Sequence, residues 1–382
     1  MTMLLIYIIS ILLTLGYVGL MIAYRYGWAT QPEHIVNKQY VPHTKISVII
    51  PARNEAANIG ACVSALLQQQ YPEQLYEVIV VDDHSDDDTA TMVTAIADKR
   101  VRCLRLADYL PAGGAVNAYK KAAITAGVTA SVGELIVTTD ADCIAPEMWL
   151  RHIAALYEQE QPVMIVAPVV YKTNNSLVQV FQHIDFMSMQ GITAAAHQLR
   201  LGNMSNGANL SFRKSTFEQV GGYEGIQHLA SGDDYLLMMK MNKILPQSIS
   251  YLKSVHATVS TLPQPDWKGF LQQRIRWASK SGKYNDARLT GILMLVYFFN
   301  VLLLVLAVGA VFSKVLLTLV VVIYVVKVII ELCFLIPVAR FFGSSRVLWF
   351  FPFLQPLHIL YIVIAGFLGF MGDYEWKGRR VK

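Results

Sequence analysis

Carboxylates stand in pairs at three places along the chain. Asp82 and Asp83 follow the strand-like run 77–81, Asp140 and Asp142 follow 134–139, and Asp233 and Asp234 follow Gly232. Two carboxylates close together at a strand end can hold a hard divalent cation, Mg2+ or Mn2+, through oxygen. Such a cation can clamp a diphosphate and neutralise charge developing on a leaving group. Asp140-x-Asp142 has this spacing. Turns and helix caps use it too, but its place straight after Leu135-Ile136-Val137-Thr138-Thr139 favours the ligand role. Asp82 and Asp83 precede a turn and are placed to accept hydrogen bonds from a base or ribose, whereas Asp86, Asp87 and Asp88 read as caps of the next helix. Asp233 and Asp234 read either as an N-cap pair or as a general base aimed into a site.

Two more stretches carry chemistry. Gln273-Arg274-Ile275-Arg276-Trp277 combines arginine, which can hold a diphosphate through bidentate hydrogen bonds, with tryptophan, which can stack on a sugar ring. The same residues suit an amphipathic helix over 266–283 lying at lipid headgroups, and one helix can serve both uses. Pro51-Ala52-Arg53-Asn54-Glu55 stands where a dinucleotide fold would carry Gly-x-Gly-x-x-Gly, and no Gly-x-x-x-x-Gly-Lys loop occurs. Any phosphate must therefore be held by something other than a glycine cradle. A lone histidine such as His256 reads as structural. Cys62, Cys103, Cys143 and Cys333 lack paired spacing and are expected as free thiols.

The elements that must position these residues alternate between strand and helix. The β-branched run 46–50 reads as a buried strand and 58–70 as a helix, with Ile59, Cys62, Val63, Leu66 and Leu67 on one face. Strands follow at 77–81, 101–106, 134–139 and 163–170, and helices at 88–99, 116–126 and 146–158. This alternation predicts an α/β fold with a mostly parallel sheet flanked by helices, whose ligands bind beyond the carboxyl ends of the strands. The acidic pairs after 77–81 and 134–139 lie at those ends.

Composition adds a second architecture. The chain is 54% hydrophobic and 15% charged, against about 45–50% and about 25% for a soluble domain. The excess is concentrated. Residues 1–24 and 290–312 carry no charge, 315–338 carry only Lys327 and Glu331, and 347–371 carry none. Each run is long enough to span a bilayer as a helix, which takes roughly 20 residues. The first lacks the basic start and small-residue cleavage site of a signal peptide and reads as an anchor that stays. Lys327 and Glu331, four apart on one face, are expected to neutralise each other. The segments imply an anchor at 1–25, a catalytic domain at 44–265, an interfacial helix at 266–285, a bundle of three apolar segments at 290–371 and a basic tail at 372–382.

The positive-inside rule puts the soluble domain in the cytoplasm, as it does the tail. Three full spans would send the tail to the other side, so either the rule is broken or the proline-interrupted stretch 349–356 lies at the interface or re-enters. A cytoplasmic domain would leave the Asn-x-Ser matches at Asn174, Asn203 and Asn209 unglycosylated. The net charge of +5 is too mild for a strongly basic nucleic-acid binder.

Taken in order, Pro-Ala-Arg-Asn-Glu, Val-Asp-Asp-His-Ser, Thr-Asp-Ala-Asp, Gly-Asp-Asp and Gln-Arg-Ile-Arg-Trp resemble the motifs of membrane-bound family 2 glycosyltransferases. That group includes cellulose, hyaluronan and poly-N-acetylglucosamine synthases and ceramide glucosyltransferases. The resemblance covers 44–285 and implies a GT-A fold. It also implies inverting, metal-dependent transfer from a nucleotide sugar, usually a UDP-sugar.

It carries roles with it. Pro51, Arg53, Glu55, Asp82, Asp83, Lys121 and Asp140 match the nucleotide-sugar side, and Asp140 and Asp142 the metal motif. Asp234 matches the catalytic base, with Asp233 where the family often has Glu. Gln273, Arg276 and Trp277 match the acceptor and diphosphate side, Lys120 and Lys121 a Lys-x-x-Ala region, and Gly207-Ala208-Asn209 an acceptor loop. Intact Asp140, Asp142, Asp234 and Arg276 argue against a degenerate, non-catalytic domain. The expected function is sugar transfer to a lipid or lipid-linked acceptor at the cytoplasmic face of the plasma or inner membrane. The alternative is a processive polysaccharide synthase that extends a growing glycan and couples polymerisation to export.

Overall fold

The computed structural model describes residues 2–110, 118–173, 176–202, 204–227, 229, 232–279, 286–371, 374–376 and 379–381. Asn174, Asn203, the last residues of the expected 266–285 helix and much of the basic tail lie outside the described residues. The chain divides into a helical unit (Met1–Gln31, Thr173–Gly202, Pro263–Lys382) and a sheet unit (Pro32–Lys172, Asn203–Leu262).

The chain opens with helix α1 (Thr2–Thr30) of the helical unit. The sheet unit then alternates as the residue pattern predicts: β1 (Ile46–Ala52), α2 (Ile59–Leu67), β2 (Tyr76–Asp82), α3 (Thr89–Thr94), β3 (Val101–Arg105), α4 (Tyr119–Ala130), β4 (Leu135–Thr138) and α5 (Trp149–Glu160). The expected strand 163–170 is two strands, β5 (Met164–Val166) and β6 (Val169–Tyr171). Pro168 has no N–H to continue a ladder, and the chain changes sheets there: β5 enters the large sheet and β6 pairs elsewhere.

The long helix α6 (Leu177–Leu199) belongs to the helical unit. The sheet unit resumes with β7 (Leu210–Arg213), α7 (Lys214–Gln219), α8 (Tyr235–Ile244), β8 (Ile249–Tyr251) and β9 (Val259–Thr261). The helical unit closes the chain with α9 (Trp267–Ala278), α10 (Ala287–Ala310), α11 (Lys314–Phe341), α12 (Phe351–Met371) and a short hairpin, β10 (Tyr374–Trp376) and β11 (Arg379–Val381).

The large sheet has the order β3-β2-β1-β4-β7-β5-β8. β1 lies parallel to both β2 and β4, and β3 parallel to β2, while β7 runs antiparallel to β4 and β5. β1 and β2 are buried almost throughout, the near-continuous apolar pattern of strands covered on both faces. Their parallel register brings Ala52 level with Asp82, so the segments leaving β1 and β2 start side by side. The expected fold class, a mostly parallel sheet flanked by helices, is what the chain forms.

Among the described residues of the helical unit, four helices are long and apolar enough to cross a membrane: Met3–Thr30, Ala287–Ala310, Lys314–Phe341 and Ser345–Phe370. α1 buries Tyr17, Leu20, Met21, Tyr24 and Trp28, spaced to form one helical face. Tyr17 stacks on Phe299 of α10, and Trp28 meets Phe341 of α11 edge-on. α1 also packs closely on α6. A Cβ at Gly27 would lie 2.7 Å from the Ala195 carbonyl oxygen, so only glycine fits that approach.

Lys327 and Glu331 pair as their spacing predicts, and Glu331 also accepts hydrogen bonds from Tyr17 of α1 and Gln355 of α12. α12 does not traverse the whole bundle. It begins beside the middle of α11, where the Tyr324 hydroxyl donates to the Pro352 carbonyl at 2.5 Å. Lys314, at the start of α11, is ten residues earlier, or about 15 Å of helix. From there α12 runs back toward the end at which α11 finished. Ser344 bonds His183 of α6 at 2.9 Å, and Tyr361 of α12 donates to Asp185 two residues further along α6. Ser345–Phe350 and α12 thus fold back along α11 as a hairpin within the helical unit.

Candidate active site

The site of the sheet unit is built on the ends of β1, β2 and β4. Asn54 and His84, just past β1 and β2, both have left-handed backbone, φ 53° in each, which Asn and His adopt more readily than most residues. The turns interlock: Asn54 N–H donates to Ser85 Oγ at 3.0 Å, and Asp86 N–H to Asn54 Oδ1 at 2.8 Å. Arg53 reaches across, its Nη1 3.2 Å from the Asp83 carbonyl and 3.9 Å from Asp83 Oδ1. The capping expected of Asp86, Asp87 and Asp88 falls to Asp87, which accepts from the N–H groups of Ala56 and Thr89, whereas Asp88, the N-cap residue, makes no side-chain cap bond.

Asp82 is the last residue of β2 and is buried. Its Oδ2 accepts weakly from Ser85 N–H at 3.4 Å, and its Oδ1 has no hydrogen-bond partner among the described residues. A buried acceptor left open is expensive and is normally filled. Pro51 and Ala52 continue β1 toward this edge. The Glu55 N–H is held by Thr89 Oγ1 at 2.8 Å, and its carboxylate acts on Asp142.

Asp140 and Asp142 follow β4. Thr261 donates to Asp142 Oδ2 at 3.1 Å. Burial, then the charges of Asp140 and Glu55, push the Asp142 carboxyl up to about 6. Lys120 Nζ lies 2.7 Å from Asp140 Oδ1 and 3.3 Å from Asp233 Oδ2, so one ammonium bridges two of the three acidic pairs. Burial alone would lower the Lys120 pKa, but Asp140 and Asp233 hold it above its ordinary value.

Gly207 floors this arrangement. Thr138 of β4 donates to its carbonyl at 3.1 Å. A Cβ at Gly207 would stand 2.9 Å from Asp233 Oδ2 and 3.3 Å from Lys120 Nζ. Asp234 caps α8, its carboxylate accepting from Tyr235 N–H at 2.7 Å, and its Cβ lies 3.8 Å from that same Gly207 position. The capping and site-facing readings of Gly-Asp-Asp both apply: Asp234 caps α8 through Oδ1 and stands beside Gly207, and Asp233 meets Lys120.

Several expected residues sit elsewhere. Lys121 is buried and donates to the carbonyls of Ile226 and Leu229, at 2.9 and 2.6 Å, on the segment before Gly232. Lys120 is the lysine among the carboxylates. Lys121 is buried and Lys120 half-buried, side by side in the first turn of α4, and their types alone give no means of choosing between them. Asn209 is a core knot: it accepts from Trp149 Nε1 at 2.9 Å and donates to the carbonyls of Pro168 and Ala257, both at 2.8 Å. His256 lies 5.2 Å, centroid to centroid, from His152, whose Nδ1 meets Ser254 Oγ at 3.0 Å.

Gln273, Arg276 and Trp277 lie on α9 and belong to the helical unit, not to the unit that holds the acidic set. There the Gln273 Oε1 accepts from Arg274 at 2.9 Å, and the Arg274 guanidinium stands 4.3 Å over the Trp277 ring.

Among the described residues no three His, Cys, Asp or Glu side chains form a ready metal cluster. The residues after β4 nonetheless fit a hard divalent cation. Their donors are carboxylate oxygens, and burial together with the charges of Asp140 and Glu55 raises the Asp142 carboxyl, a cost that such a cation would relieve.

Known proteins resemble this arrangement. The model of glycosyl transferase family 2 matches residues 47–221, and that of glycosyl transferase family group 2 matches 135–367. Glycosyltransferase AglE of Haloferax volcanii is 28% identical over 189 residues, half of this chain and 58% of its own length. Beta-monoglucosyldiacylglycerol synthase of Trichormus variabilis is 26% identical over 133 residues, 34% of this chain and 27% of its own. The chain thus spans less than two thirds of either relative. Mannosyltransferase PcManGT of Pyrobaculum calidifontis, solved in complex with GDP-Man and Mn2+, superposes with a TM-score of 0.59 over 95% of this chain and 99% of its own, at 17% identity. The α/β architecture, the matched family models and these likenesses lead to one assignment: the chain belongs to glycosyl transferase family group 2 and has a GT-A-like fold.

Proposed function

We propose that this glycosyltransferase moves a sugar from a nucleotide-sugar donor, a UDP-sugar by its motifs, to a lipid or lipid-linked acceptor at the cytoplasmic face of a membrane. The observation that carries this reading is the bridge of Lys120 between Asp140 and Asp233, beside an Asp142 whose carboxyl is raised, together with a buried Asp82 oxygen at the end of β2 that has no hydrogen-bond partner among the described residues. Four helices apolar enough for a membrane, and a relative named for monoglucosyldiacylglycerol, support a lipid acceptor.

In this proposal Asp82 and Asp83 accept hydrogen bonds from the base and ribose, with Pro51, Arg53 and Glu55 shaping the same edge. Asp140 and Asp142 hold the divalent cation, Mg2+ or Mn2+, as the PcManGT complex with Mn2+ encourages. The cation, when bound, supplies positive charge to the diphosphate. Lys120 balances the carboxylates around it, and Lys121 secures the segment leading to Asp233 and Asp234.

Asp234 takes the proton of the acceptor hydroxyl, with Asp233 beside it. The acceptor oxygen bonds to the anomeric carbon as the bond from that carbon to the diphosphate oxygen breaks, so the configuration inverts. Gln273, Arg276 and Trp277 serve the acceptor and diphosphate side. The charge that moves onto the departing diphosphate is the term that fixed dipoles and cations stabilise most.

The test is the full chain in detergent with labelled UDP- and GDP-sugars, Mg2+ or Mn2+, and lipid extract. A discrete glycolipid made from a UDP-sugar is expected. A long polymer would replace this reading with that of a processive synthase, and absence of turnover with every donor would remove it.

A further inference from the structure

Arg274 occupies one of the two unspecified positions of the Gln-x-x-Arg-Trp motif, yet it is the buried centre of α9. Its side chain is 4% exposed, and that of Asp185 on α6 is 3% exposed. Arg274 Nε and Nη2 lie 2.8 and 2.6 Å from Asp185 Oδ2. The other oxygen of Asp185 accepts from the Tyr361 hydroxyl and lies 3.5 Å from His358 Nε2, both on α12. Burial alone would push the Asp185 carboxyl up, but Arg274 and His358 hold it below the carboxylate range. Three helices therefore fix one guanidinium.

The rest of that guanidinium is used on the motif. Its Nη1 donates to the Gln273 side-chain oxygen at 2.9 Å. Its face lies 4.3 Å from the Trp277 ring centroid and 4.8 Å from that of Phe270. A planar fork can hold a carboxylate, donate to an amide oxygen and stack on an indole at once; a lysine ammonium cannot do all three.

We propose that Asp185 and Arg274 are positioning residues for sugar transfer, setting the side chains of Gln273 and Trp277 through this buried guanidinium. This rests on the reading that Gln273 and Trp277 serve the reaction. Positioning is a strong lever, because a displacement of about 1 Å at a reacting group can cost on the order of 100-fold in rate. An ion pair that merely joined α6 to α9 would tolerate Lys at 274; a positioning guanidinium would not.

The experiment uses the full chain in detergent and reads two quantities. The first is glycolipid formation by Trp277→Ala, Asp185→Asn, Arg274→Lys and the Asp185→Asn/Trp277→Ala double variant. The second is acrylamide quenching of Trp277, taken as the difference from Trp277→Phe in each background. Asp185→Asn and Arg274→Lys are each expected to lower kcat/KM for the acceptor tenfold or more and to raise Trp277 quenching. The double variant should lose less than the product of the two single losses, since residues acting through one another are not additive.

Additive losses, unchanged quenching or full activity in Arg274→Lys would overturn the positioning role. If quenching rises while Trp277→Ala keeps full activity, the positioning geometry stands and the motif's part in the reaction fails. Should Asp185→Asn not fold, Tyr361→Phe removes one hydrogen bond from Asp185, keeps the ion pair and must raise quenching in the same direction.

Discussion

In the helical unit Lys327 meets Glu331 and Arg274 meets Asp185, and tyrosine hydroxyls complete each set, Tyr17 on Glu331 and Tyr361 on Asp185. In the sheet unit Lys120 bridges Asp140 and Asp233, one oxygen of the buried Asp82 has no hydrogen-bond partner among the described residues, and the Asp142 carboxyl is pushed up to about 6 by burial and neighbouring charge. Removing charge from water is costly in both places. A closed set holds helices in register. A set with more carboxylates than cations stores unmet demand for positive charge and for hydrogen-bond donors, which is the signature of a binding site. The comparison teaches that the balance of a buried cluster, rather than its being charged, separates architecture from chemistry.

The strongest test of the comparison strikes the underneutralised set. Asp142→Ala is expected to lose metal-dependent nucleotide binding, measured by titration calorimetry; unchanged binding would remove its metal role. Asp234→Asn should lower transfer about 10^2–10^4-fold, the usual worth of a positioned base, while donor binding survives. Retained transfer would shift the base to Asp233.

The closed set predicts the opposite kind of response. Lys327→Met leaves Glu331 buried without its cation and should cost about 3–5 kcal/mol of stability, read as a fall in thermal midpoint in detergent. The double change Lys327→Met/Glu331→Gln should recover most of that loss. A double variant weaker than the single would mean that the pair is not a closed unit.

A smaller effect is expected from Gly207→Ala. Its methyl would meet Asp233 Oδ2 at 2.9 Å and Lys120 Nζ at 3.3 Å, so the bridge must shift. Transfer should fall by roughly tenfold through misplacement while the thermal midpoint moves little. A large loss of stability with normal specific activity would place the strain in the core instead.

The smallest effect comes from a group buried neutral. Burial, then the charges of His256 and His34, lowers His152 to about 4. Between pH 6.5 and 4 the unfolded chain takes up this proton and the folded chain does not. Its contribution is therefore complete above pH 6.5, falls as pH drops toward 4 and is constant below. The expected size is on the order of 1 kcal/mol after solvent screening. His152→Gln should flatten the thermal midpoint over that window; an unchanged slope would assign it to other groups.

Much of this molecule was legible from local pattern. Strand–helix alternation followed from runs such as 46–50, and the site edge from carboxylates standing just after strands. The pairing of Lys327 with Glu331 followed from a four-residue spacing. Other features were not legible. Lys120 and Lys121 are adjacent on one helix, and only the positions of β4 and Gly207 decide which meets Asp140. The residue pattern predicts one strand over 163–170, and only the sheets that β5 and β6 join show the break at Pro168.

What the sequence determined by itself is therefore everything that depends on neighbours within about one helical turn or one strand: element type, apolar segments, and which carboxylates leave strand ends. The tertiary structure alone decided the choice of Lys120, the return of α12 beside α11, and the engagement of Arg274 by Asp185, 89 residues away. The physical reason is that hydrophobic periodicity acts locally, whereas charge balance and packing are settled by groups that meet only after the chain has folded.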